Sequence, residues 1–253
     1  MNTASTIIVI PAFNEERRLL PRAFIEAVDS CDGIDFLLVD DGSVDHTKQV
    51  ISDLCAQNPK RLHSLFLAQN GGKAEAIRQG FKVAFAKSYA YIGYWDADLA
   101  TPLAAIPDLL GEFAASDRIA AVLGSRVKLL GRDISRSRYR HYLGRLFATL
   151  VSITLNLGVY DTQCGAKIFK NSPLLQKAFA SPFISRWIFD VEILTRLKLL
   201  GLPLAATVVE YPLKAWHDIR GSKVSFDAYL RAIGELAHIF FLLRWRRPAR
   251  QNP

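Results

Sequence analysis

The chain has 253 residues, of which 50% are hydrophobic and 22% charged, so it can bury a complete core and is neither disordered nor fibrous. Lysine and arginine total 32 against 24 acidic residues, and the net charge of +8 predicts an anionic partner: a nucleic acid, a phosphorylated substrate or a membrane surface. Cys31, Cys55 and Cys164 form no CxxC motif, which favours a reducing, cytosolic compartment.

The sequence before residue 126 alternates short apolar runs with longer segments of helical character. The predicted strands cover residues 7–10, 36–39, 65–67, 90–95 and 119–123. The predicted helices begin at Asn14, at Ser43 or Asp45, after Gly71-Gly72 and at Leu103; the first, second and fourth end near Ser30, Cys55 and Ala115. This alternation predicts an α/β fold with an open, mostly parallel, twisted sheet and helices on both faces.

After residue 126 the pattern changes to a basic loop, a long apolar helix and mixed elements. We interpret residues 1–225 as one domain and residues 226–253 as an amphipathic C-terminal helix with a basic tail. No basic segment precedes an apolar stretch at the N-terminus, so we expect no signal peptide. The longest uncharged run, residues 146–160, is shorter than the ~20 apolar residues of a membrane span, so we expect no complete span.

Three polar segments directly follow predicted strands: PAFNE at 11–15, DDGS at 40–43 and DAD at 96–98. Ligands of open α/β sheets bind beyond the carboxyl ends of the strands. The sequence therefore predicts that these segments share one binding site.

Asp96 and Asp98 give the sharpest chemical signal. Two carboxylates two residues apart at a strand exit can hold one hard cation, and Mg²⁺ or Mn²⁺ prefers carboxylate, water and phosphate oxygens. Such a cation offsets the charge of a diphosphate leaving group. The alternative is a solvated Asp-X-Asp turn, but the strand-end position between Tyr94-Trp95 and Thr101-Pro102 favours the metal site.

Two further loops allow more than one interpretation. Asp40-Asp41-Gly42-Ser43 is either a turn with a helix cap or a place where one carboxylate contacts a nucleobase or ribose. The segment 70–73, NGGK, suggests a phosphate loop and makes Lys73 a candidate, although it lacks Walker spacing. No GxGxxG follows a predicted strand and no HExxH or spaced Cys/His cluster occurs, which disfavours a dinucleotide fold and a structural zinc site.

Together these motifs resemble family 2 inverting glycosyltransferases with the GT-A fold. The resemblance rests on PAFNEE at 11–16, VDDGSVDHT at 39–47, NGGKAEAIRQG at 70–80 and DADLATP at 96–102. GSR at 124–126, DTQCGAKIFK at 161–170, RWIFDVEIL at 186–194 and IRGSKVS at 219–225 resemble the dolichyl-phosphate β-glucosyltransferase branch, which is related to dolichyl-phosphate mannose synthases. The family implies transfer of a hexose, with UDP-glucose the favoured donor, to a polyprenyl phosphate.

The resemblance implies a role for each matching residue. Residues 1–125 would bind the nucleotide sugar and residues 126–225 the acceptor. The nucleotide-sugar-binding residues would be Pro11, Asn14, Glu15, Asp40, Asp41, Lys73, Asp96, Ala97 and Asp98, with Asp41 against the base, Asp40 supporting it, and Mg²⁺ or Mn²⁺ on Asp96 and Asp98. Mannose synthases of this group often place a glutamine two residues after the DxD motif. This chain has Ala100 there, which favours glucose over mannose.

A phosphate acceptor is deprotonated at neutral pH, so it needs cations more than a base. The candidate acceptor-phosphate residues are Arg126, Arg136, Arg138, Arg140, Ser222 and Lys223. The catalytic candidates are Asp98, Arg126, Asp190 and Lys223. Asp161, Asp190 and Glu192 are alternatives for a carboxylate base. Their structural interpretation is equally open: Asp190 and Glu192 lie in a predicted helix start, and Asp161 would orient Lys167 or cap a turn.

Basic residues twice adjoin an apolar helix: residues 126–145 precede the run 146–160, and Arg244, Arg246, Arg247 and Arg250 follow the run 233–243. This pairing predicts peripheral contact with an anionic membrane, at the cytosolic face, although 146–160 could equally be a core helix. No nucleic-acid motif occurs, so RNA binding is disfavoured. A soluble or protein acceptor, another donor such as GDP-mannose, and a non-catalytic nucleotide-sugar or membrane-binding module remain alternatives. The sequence leaves the lipid length and the oligomeric state open.

Overall fold

A computed structural model describes residues 5–135, 138–218 and 226–245, and their side chains except those of 138–143, 226–230 and 242–245. The strands in these ranges are β1 Thr6–Ala12, β2 Ile34–Asp40, β3 Leu62–Phe66, β4 Tyr91–Trp95, β5 Ala121–Ser125, β6 Asp133–Ser135, β7 Ala166–Lys170, β8 Val208–Pro212 and β9 Ala215–His217. Seven of them form one sheet in the order β3-β2-β1-β4-β7-β5-β8, and β6 pairs with β9. All five predicted strands are present, with shifted ends.

The sheet is mostly parallel, as predicted, but β7 runs antiparallel to both β4 and β5. Parallel pairing joins β1 with β2 and β4, β2 with β3, and β5 with β8. The order places the exits of β2, β1 and β4 side by side at one edge of the sheet. The polar segments that follow these strands therefore lie together.

Helices cover both faces of the sheet. They are α1 Pro21–Ser30, α2 Thr47–Gln57, α3 Lys73–Phe85, α4 Ile106–Glu112, α5 Arg138–Leu155, α6 Pro173–Phe179, α7 Phe189–Leu199, α8 Leu204–Thr207 and α9 Phe226–Trp245. Successive residues of β1 point to opposite faces, so Ile7 and Val9 enter one apolar cluster while Ile8 and Ile10 enter the other. The first cluster includes residues of α3, α5, α6, α7 and α9, and the second includes residues of α1, α2 and α4.

The predicted starts of the first two helices are wrong. Asn14 has a left-handed backbone (φ 55°), and α1 begins at Pro21, since residues 16–18 form a turn. Asn14 instead joins two loops: its N–H donates to Ser43 Oγ (2.9 Å), and its Oδ1 accepts from Val44 N (3.0 Å). The α2 helix begins at Thr47, whose backbone N–H donates to Asp45 Oδ1 (3.0 Å). Long-range contacts thus replace the predicted cap at Asn14, whereas the predicted local bond from Asp45 to the start of the second helix is present.

The C-terminal part of the described chain packs α5 and α7 against α9. Ala232, Leu236 and Ile239 of α9 are buried in the first apolar cluster. In the described ranges, no helix combines the length and the apolarity needed to cross a bilayer.

Candidate active site

A cavity of about 400 Å³ lies at the exits of β1, β2 and β4; we call it the N-terminal cavity. Its lining residues come from the predicted polar segments and from α3: Pro11, Ala12, Phe13, Glu15, Asp41, Asn70, Gly72, Lys73, Ala76, Asp96, Ala97 and Asp98. The structure therefore brings most of the nucleotide-binding candidates together, as the strand-end argument predicts. Asn14 and Asp40 support this cavity from outside its lining.

Asp41 orders the loop between β3 and α3. Its carboxylate accepts the backbone N–H groups of Gly71 (2.9 Å) and Gly72 (2.7 Å) and the side-chain amide of Asn70 (3.0 Å). Burial raises the pKa of Asp41, and the two backbone donors offset only part of that rise. Asp40, also buried, accepts the Ser43 N–H (3.3 Å) and stabilises the turn after β2. Both carboxylates thus shape the cavity wall.

Glu15 enters the N-terminal cavity from the turn after β1. Its backbone N–H donates to Thr47 Oγ1 (2.7 Å), and its carboxylate accepts from Arg18 Nε (2.7 Å). Burial and the neighbouring charge of Asp98 raise the pKa of Glu15, while Arg18 lowers it in part. The cavity therefore contains a second source of negative charge close to the Asp96 and Asp98 pair.

Asp96 and Asp98 lie at the exit of β4, in a turn where Leu99 has a left-handed backbone (φ 52°), which is uncommon for leucine and typical of functional sites. Asp98 Oδ1 accepts the Ala100 N–H (3.1 Å). Burial raises the pKa of Asp98, the charge of Asp96 raises it further, and Lys73 offsets part of the shift. Two carboxylates held this close repel each other, so a cation between them stabilises the charged pair.

Lys73, the first residue of α3, supplies one such charge. Its Nζ lies 2.5 Å from Asp96 Oδ1. Burial lowers the pKa of Lys73, but the carboxylates of Asp96, Asp190 and Asp98 raise it by more, so its pKa lies above the ordinary lysine value. Lys73 therefore carries a positive charge at neutral pH beside the two aspartates.

The donor set of this turn fits Mg²⁺ or Mn²⁺. Both candidate ligands are carboxylates, the ligand class that these ions prefer. Gly165 packs so closely on Asp96 that a Cβ atom there would lie 2.0 Å from Oδ2, and its carbonyl accepts the Asp96 N–H (3.0 Å). Asp96 is thereby held in place. Within the described ranges, no three His, Cys, Asp or Glu side chains cluster as a complete metal site. Asp96 and Asp98 would hold the ion together with oxygens of a bound diphosphate and water.

A second cavity, of about 480 Å³, adjoins the first; we call it the basic cavity. Gly72, Lys73, Asp96 and Asp98 line both cavities. The basic cavity takes its name from three arginines of its remaining wall, Arg126, Arg145 and Arg186. The same wall also contains Asp161, Asp190 and Asp218. The aspartate pair and Lys73 thus lie where two binding spaces meet.

Arg126 lies in the wall of the basic cavity, but Asp161 holds its guanidinium in a bidentate ion pair (Nε–Oδ2 2.6 Å, Nη2–Oδ1 2.8 Å). The guanidinium also lies 5.3 Å from the centre of the Trp216 ring. Burial lowers the pKa of Arg126, and the Asp161 charge raises it by more. Asp161 therefore orients Arg126 and not Lys167. It also accepts the Gln163 N–H (3.1 Å), so the alternative prediction, that Asp161 caps a turn, agrees with the structure.

Lys167 pairs with Asp190 instead. Its Nζ lies 2.6 Å from Asp190 Oδ1, and both side chains are buried. Tyr94 donates its hydroxyl to the same oxygen, and burial and the Asp190 charge raise the pKa of Tyr94. Asp190 lies at the start of α7, as predicted, and lines the basic cavity. Its charge nevertheless balances that of the buried Lys167. These contacts support its structural interpretation.

Glu192, the other carboxylate of α7, is 3% exposed and pairs with Arg196 (2.7 Å). It also accepts the N–H groups of Ile184 and Ser185. Glu192 does not line either cavity. Its contacts give it a structural role.

Two arginines of the basic cavity were not among the predicted acceptor residues, although Arg145 belongs to the basic segment 126–145 that predicts membrane contact. Arg145 lies with its guanidinium carbon 3.7 Å from the centre of the Tyr160 ring. Arg186 is exposed and, among the described residues, makes no ion pair. Each has a sequence signal: Arg145 directly precedes the apolar run 146–160, and Arg186 begins the RWIFDVE motif.

Several predicted acceptor residues cannot be placed. Arg136, Ser222 and Lys223 lie outside the described residues, as do the side chains of Arg138 and Arg140, whose backbone begins α5. Their roles stay predictions.

Comparison with known proteins agrees with this geometry. Among curated proteins, the chain is 33% identical over 261 residues to the dolichyl-phosphate β-glucosyltransferase of Mus musculus, covering 96% of this chain and 76% of the mouse protein. It is 33% identical over 244 residues to the enzyme of the same name from Saccharomyces cerevisiae, covering 86% of this chain and 68% of the yeast protein.

Solved structures support the fold. Glucosyl-3-phosphoglycerate synthase from Mycobacterium tuberculosis in complex with UDP matches with a TM-score of 0.66 at 21% identity, over 94% of this chain and 81% of that one. The same enzyme with Mn²⁺, UDP and glucosyl-3-phosphoglycerate matches with a TM-score of 0.63 at 19% identity, over 96% and 80%. The expected GT-A fold is confirmed. The family model described as glycosyl transferase family 2 matches residues 7–176. The chain therefore belongs to glycosyl transferase family 2 and is a glycosyltransferase.

Proposed function

We propose that the protein transfers glucose, with inversion, from UDP-glucose to a polyprenyl or dolichyl phosphate at the cytosolic face of a membrane. The observation that carries this proposal is the meeting of the N-terminal cavity and the basic cavity at Asp96, Asp98 and Lys73. A nucleotide sugar in the first cavity and an anionic acceptor in the second would meet at that junction. The names of the curated relatives favour glucose and a lipid phosphate.

The N-terminal cavity suits the nucleotide diphosphate. Asp41 fixes Gly71 and Gly72 next to Lys73, which brings a cation to the diphosphate end of the cavity. Mg²⁺ or Mn²⁺ on Asp96 and Asp98 would offset the negative charge of the departing diphosphate. Lys73 lines both cavities and stays protonated, so it attracts both anionic reactants.

The basic cavity suits a phosphate acceptor. Arg145 and Arg186 line it, and Arg126 forms part of its wall. A phosphate is already deprotonated at neutral pH, so attack on the sugar requires orientation and charge neutralisation more than a general base. This agrees with an Asp190 carboxylate whose charge is engaged by Lys167.

Exposed apolar side chains favour peripheral membrane contact. Ile233, Phe240 and Phe241 of α9 are 48%, 40% and 59% exposed, and their spacing places them along one side of the helix. Trp187, 43% exposed, lies on the wall of the basic cavity. An interfacial helix beside that cavity would keep a lipid tail in the bilayer while its phosphate reaches Asp98.

The proposal is tested by incubating the purified protein with UDP-glucose, UDP-galactose or GDP-mannose, Mn²⁺ or Mg²⁺, and either a short polyprenyl phosphate or soluble sugar and protein acceptors. We expect a glucosyl phospholipid of β configuration from UDP-glucose and the lipid phosphate. Transfer to the soluble acceptors alone would contradict the proposed acceptor, and a preference for GDP-mannose would contradict the donor.

A further inference from the structure

The loop 184–188 forms part of the boundary between helix α9 and the basic cavity. It has no regular secondary structure, and Arg186, Trp187 and Ile188 line the cavity. Backbone N–H groups outside helices and strands are paired by side chains or by water. The shape of this wall therefore depends on the groups that accept the N–H bonds of the loop.

Two glutamates on two helices accept five successive N–H groups of this loop. Glu192 of α7 accepts from Ile184 (3.0 Å) and Ser185 (2.8 Å). Glu235 of α9 accepts the next three, from residues 186, 187 and 188, at 3.3, 3.2 and 3.2 Å. Bonds to a carboxylate are stronger than those between neutral groups, so each glutamate fixes its part of the loop.

The two carboxylates differ in their other contacts. Glu192 is buried and also pairs with Arg196. Glu235 is half-buried and, among the described residues, makes no ion pair. Its charge is balanced by the three converging N–H groups, which form a small anion-binding concavity. Within the described ranges, the Glu235 carboxylate accepts hydrogen bonds from the backbone of this loop and from no other group.

We infer that Glu235 is a positioning residue for the basic cavity: its carboxylate fixes the loop that carries Arg186 and Trp187, and so sets the affinity of the cavity for a lipid phosphate. The inference rests on the proposed function in taking a lipid phosphate as the occupant. The Arg186 guanidinium binds the phosphate, and the Trp187 ring packs on the first isoprene unit. A shift of the loop by about 1 Å displaces both groups, which is enough to weaken binding strongly.

The test compares Glu235→Gln with wild type in two measurements made without turnover. Calorimetry with farnesyl phosphate and with UDP in the presence of Mn²⁺ gives the two affinities. Hydrogen exchange with mass-spectrometric detection reports the protection of residues 184–188. The glutamine keeps the size of the side chain but loses the charge and turns an NH₂ group toward the N–H donors.

We expect Glu235→Gln to raise the dissociation constant of farnesyl phosphate about tenfold, the scale of losing a hydrogen bond to a charged group, and to leave UDP affinity unchanged. Exchange should accelerate at residues 186–188 and stay slow at 184–185, which Glu192 holds. His238→Ala is the matched control, because His238 lies on the same helix beside Glu235 and makes no bond to the loop within the described residues. It should behave as wild type in both measurements.

Unchanged farnesyl phosphate affinity in Glu235→Gln, or an equal loss of UDP affinity, would overturn the inference. If Glu235→Gln does not fold, Glu235→Asp, which keeps the charge on a shorter side chain, carries the same two readouts. Wild-type binding of farnesyl phosphate without glucosyl transfer would overturn the proposed function and leave the inference standing. Wild-type protein that does not bind farnesyl phosphate would overturn both.

Discussion

Gly165 and Asp96 are in direct contact: a Cβ atom on Gly165 would lie 2.0 Å from Asp96 Oδ2, and the Gly165 carbonyl accepts the Asp96 N–H at 3.0 Å. The contact joins the exit of β4 to the segment that enters the antiparallel strand β7. Only glycine fits there without displacing the carboxylate. The position of a candidate metal ligand thus depends on a residue that is 69 positions further along the chain.

Gly165→Ala should weaken Mn²⁺ binding at least tenfold, because the new methyl group pushes the Asp96 carboxylate aside. Mn²⁺ titration followed by electron paramagnetic resonance measures this. The accompanying loss of stability should be about 1–3 kcal/mol, as for other overpacked sites. Gly111→Ala is the control: apart from its own helix backbone, no atom of the described residues lies within 4 Å of the added Cβ, so it should bind Mn²⁺ normally and fold at least as stably. Normal Mn²⁺ affinity in Gly165→Ala would contradict the assignment of Asp96.

Lys73→Gln should have opposite effects on two ligands. Without the ammonium group, Asp96 and Asp98 retain more negative charge, so the free protein should bind Mn²⁺ several-fold more tightly. UDP should bind more weakly at saturating Mn²⁺, since its diphosphate loses a cation. Lys82→Gln on the same helix lines neither cavity and should change neither affinity. Weaker Mn²⁺ binding with unchanged UDP binding would show that Lys73 does not act at the junction.

Asp190→Asn should lower the free energy of unfolding, because it leaves the buried Lys167 ammonium without a charge partner. Removing one member of a buried pair costs about 3–5 kcal/mol. Urea unfolding should therefore show a much lower midpoint. Replacing Lys167 by methionine in the same protein should restore part of the loss.

Asp108→Asn is the control for this pair, since Asp108 bonds the exposed Lys214 and its change should leave the urea midpoint where it is. A different outcome would restore the general-base role. If Asp190→Asn is as stable as wild type, binds both substrates and is inactive, with the acidic limb of the pH profile lost, then Asp190 acts as a base. The acceptor would then be a hydroxyl.

Arg186→Ala should raise the KM for polyprenyl phosphate about tenfold and leave the KM for UDP-glucose unchanged. The reason is that Arg186 lines the basic cavity and does not line the N-terminal cavity. Steady-state kinetics in detergent micelles measures both constants. Arg118→Ala, an exposed arginine outside both cavities, controls for the loss of a surface charge. A rise in the KM for UDP-glucose alone would contradict the assignment of Arg186 to acceptor binding.

Serine at Ile233, Phe240 and Phe241 together should release the protein from anionic vesicles in a flotation assay, since the exposed apolar stripe of α9 is then lost. Leu20→Ser with Val44→Ser, two exposed apolar residues before α1 and α2, should leave vesicle binding intact. Equal binding of both variants would mean that α9 does not contact the membrane.

The sequence was sufficient to predict the sheet and the meeting of Asp41, Asp96 and Asp98, because continuous apolar runs mark buried strands and their exits share one edge. It was insufficient where long-range pairing decides the outcome. The antiparallel insertion of β7 brings Gly165 against Asp96, and no local pattern around residue 165 reveals this. Asn14 is a residue type that commonly caps helices, but here it bonds Ser43 and Val44 instead.

Ion pairs between distant residues could not be predicted from the sequence either. Sequence spacing cannot tell whether Asp161 pairs with Lys167, six residues on, or with Arg126, 35 residues before it; the pairing of β5 with β7 brings Arg126 to Asp161. The basic cavity combines residues of α5, the loop 184–188 and the segment after β5, and these meet only once α5 and α7 pack on α9. The position of Arg145 at the end of the basic segment 126–145 therefore predicts membrane contact and not a place in this cavity, and Arg186 lies in no basic cluster of the sequence.

The most direct measurement compares two acceptors that differ only in the reacting group: a polyprenyl phosphate and the polyprenol of the same length. Each is incubated with the protein, Mn²⁺ and UDP-glucose carrying radioactive glucose, and the lipid extract is counted. We expect transfer to the phosphate, none to the alcohol, and loss of transfer in Asp98→Asn or in EDTA. Transfer to the alcohol, or full transfer to the phosphate by Asp98→Asn, would contradict glucosyl transfer to a lipid phosphate at the junction of the two cavities.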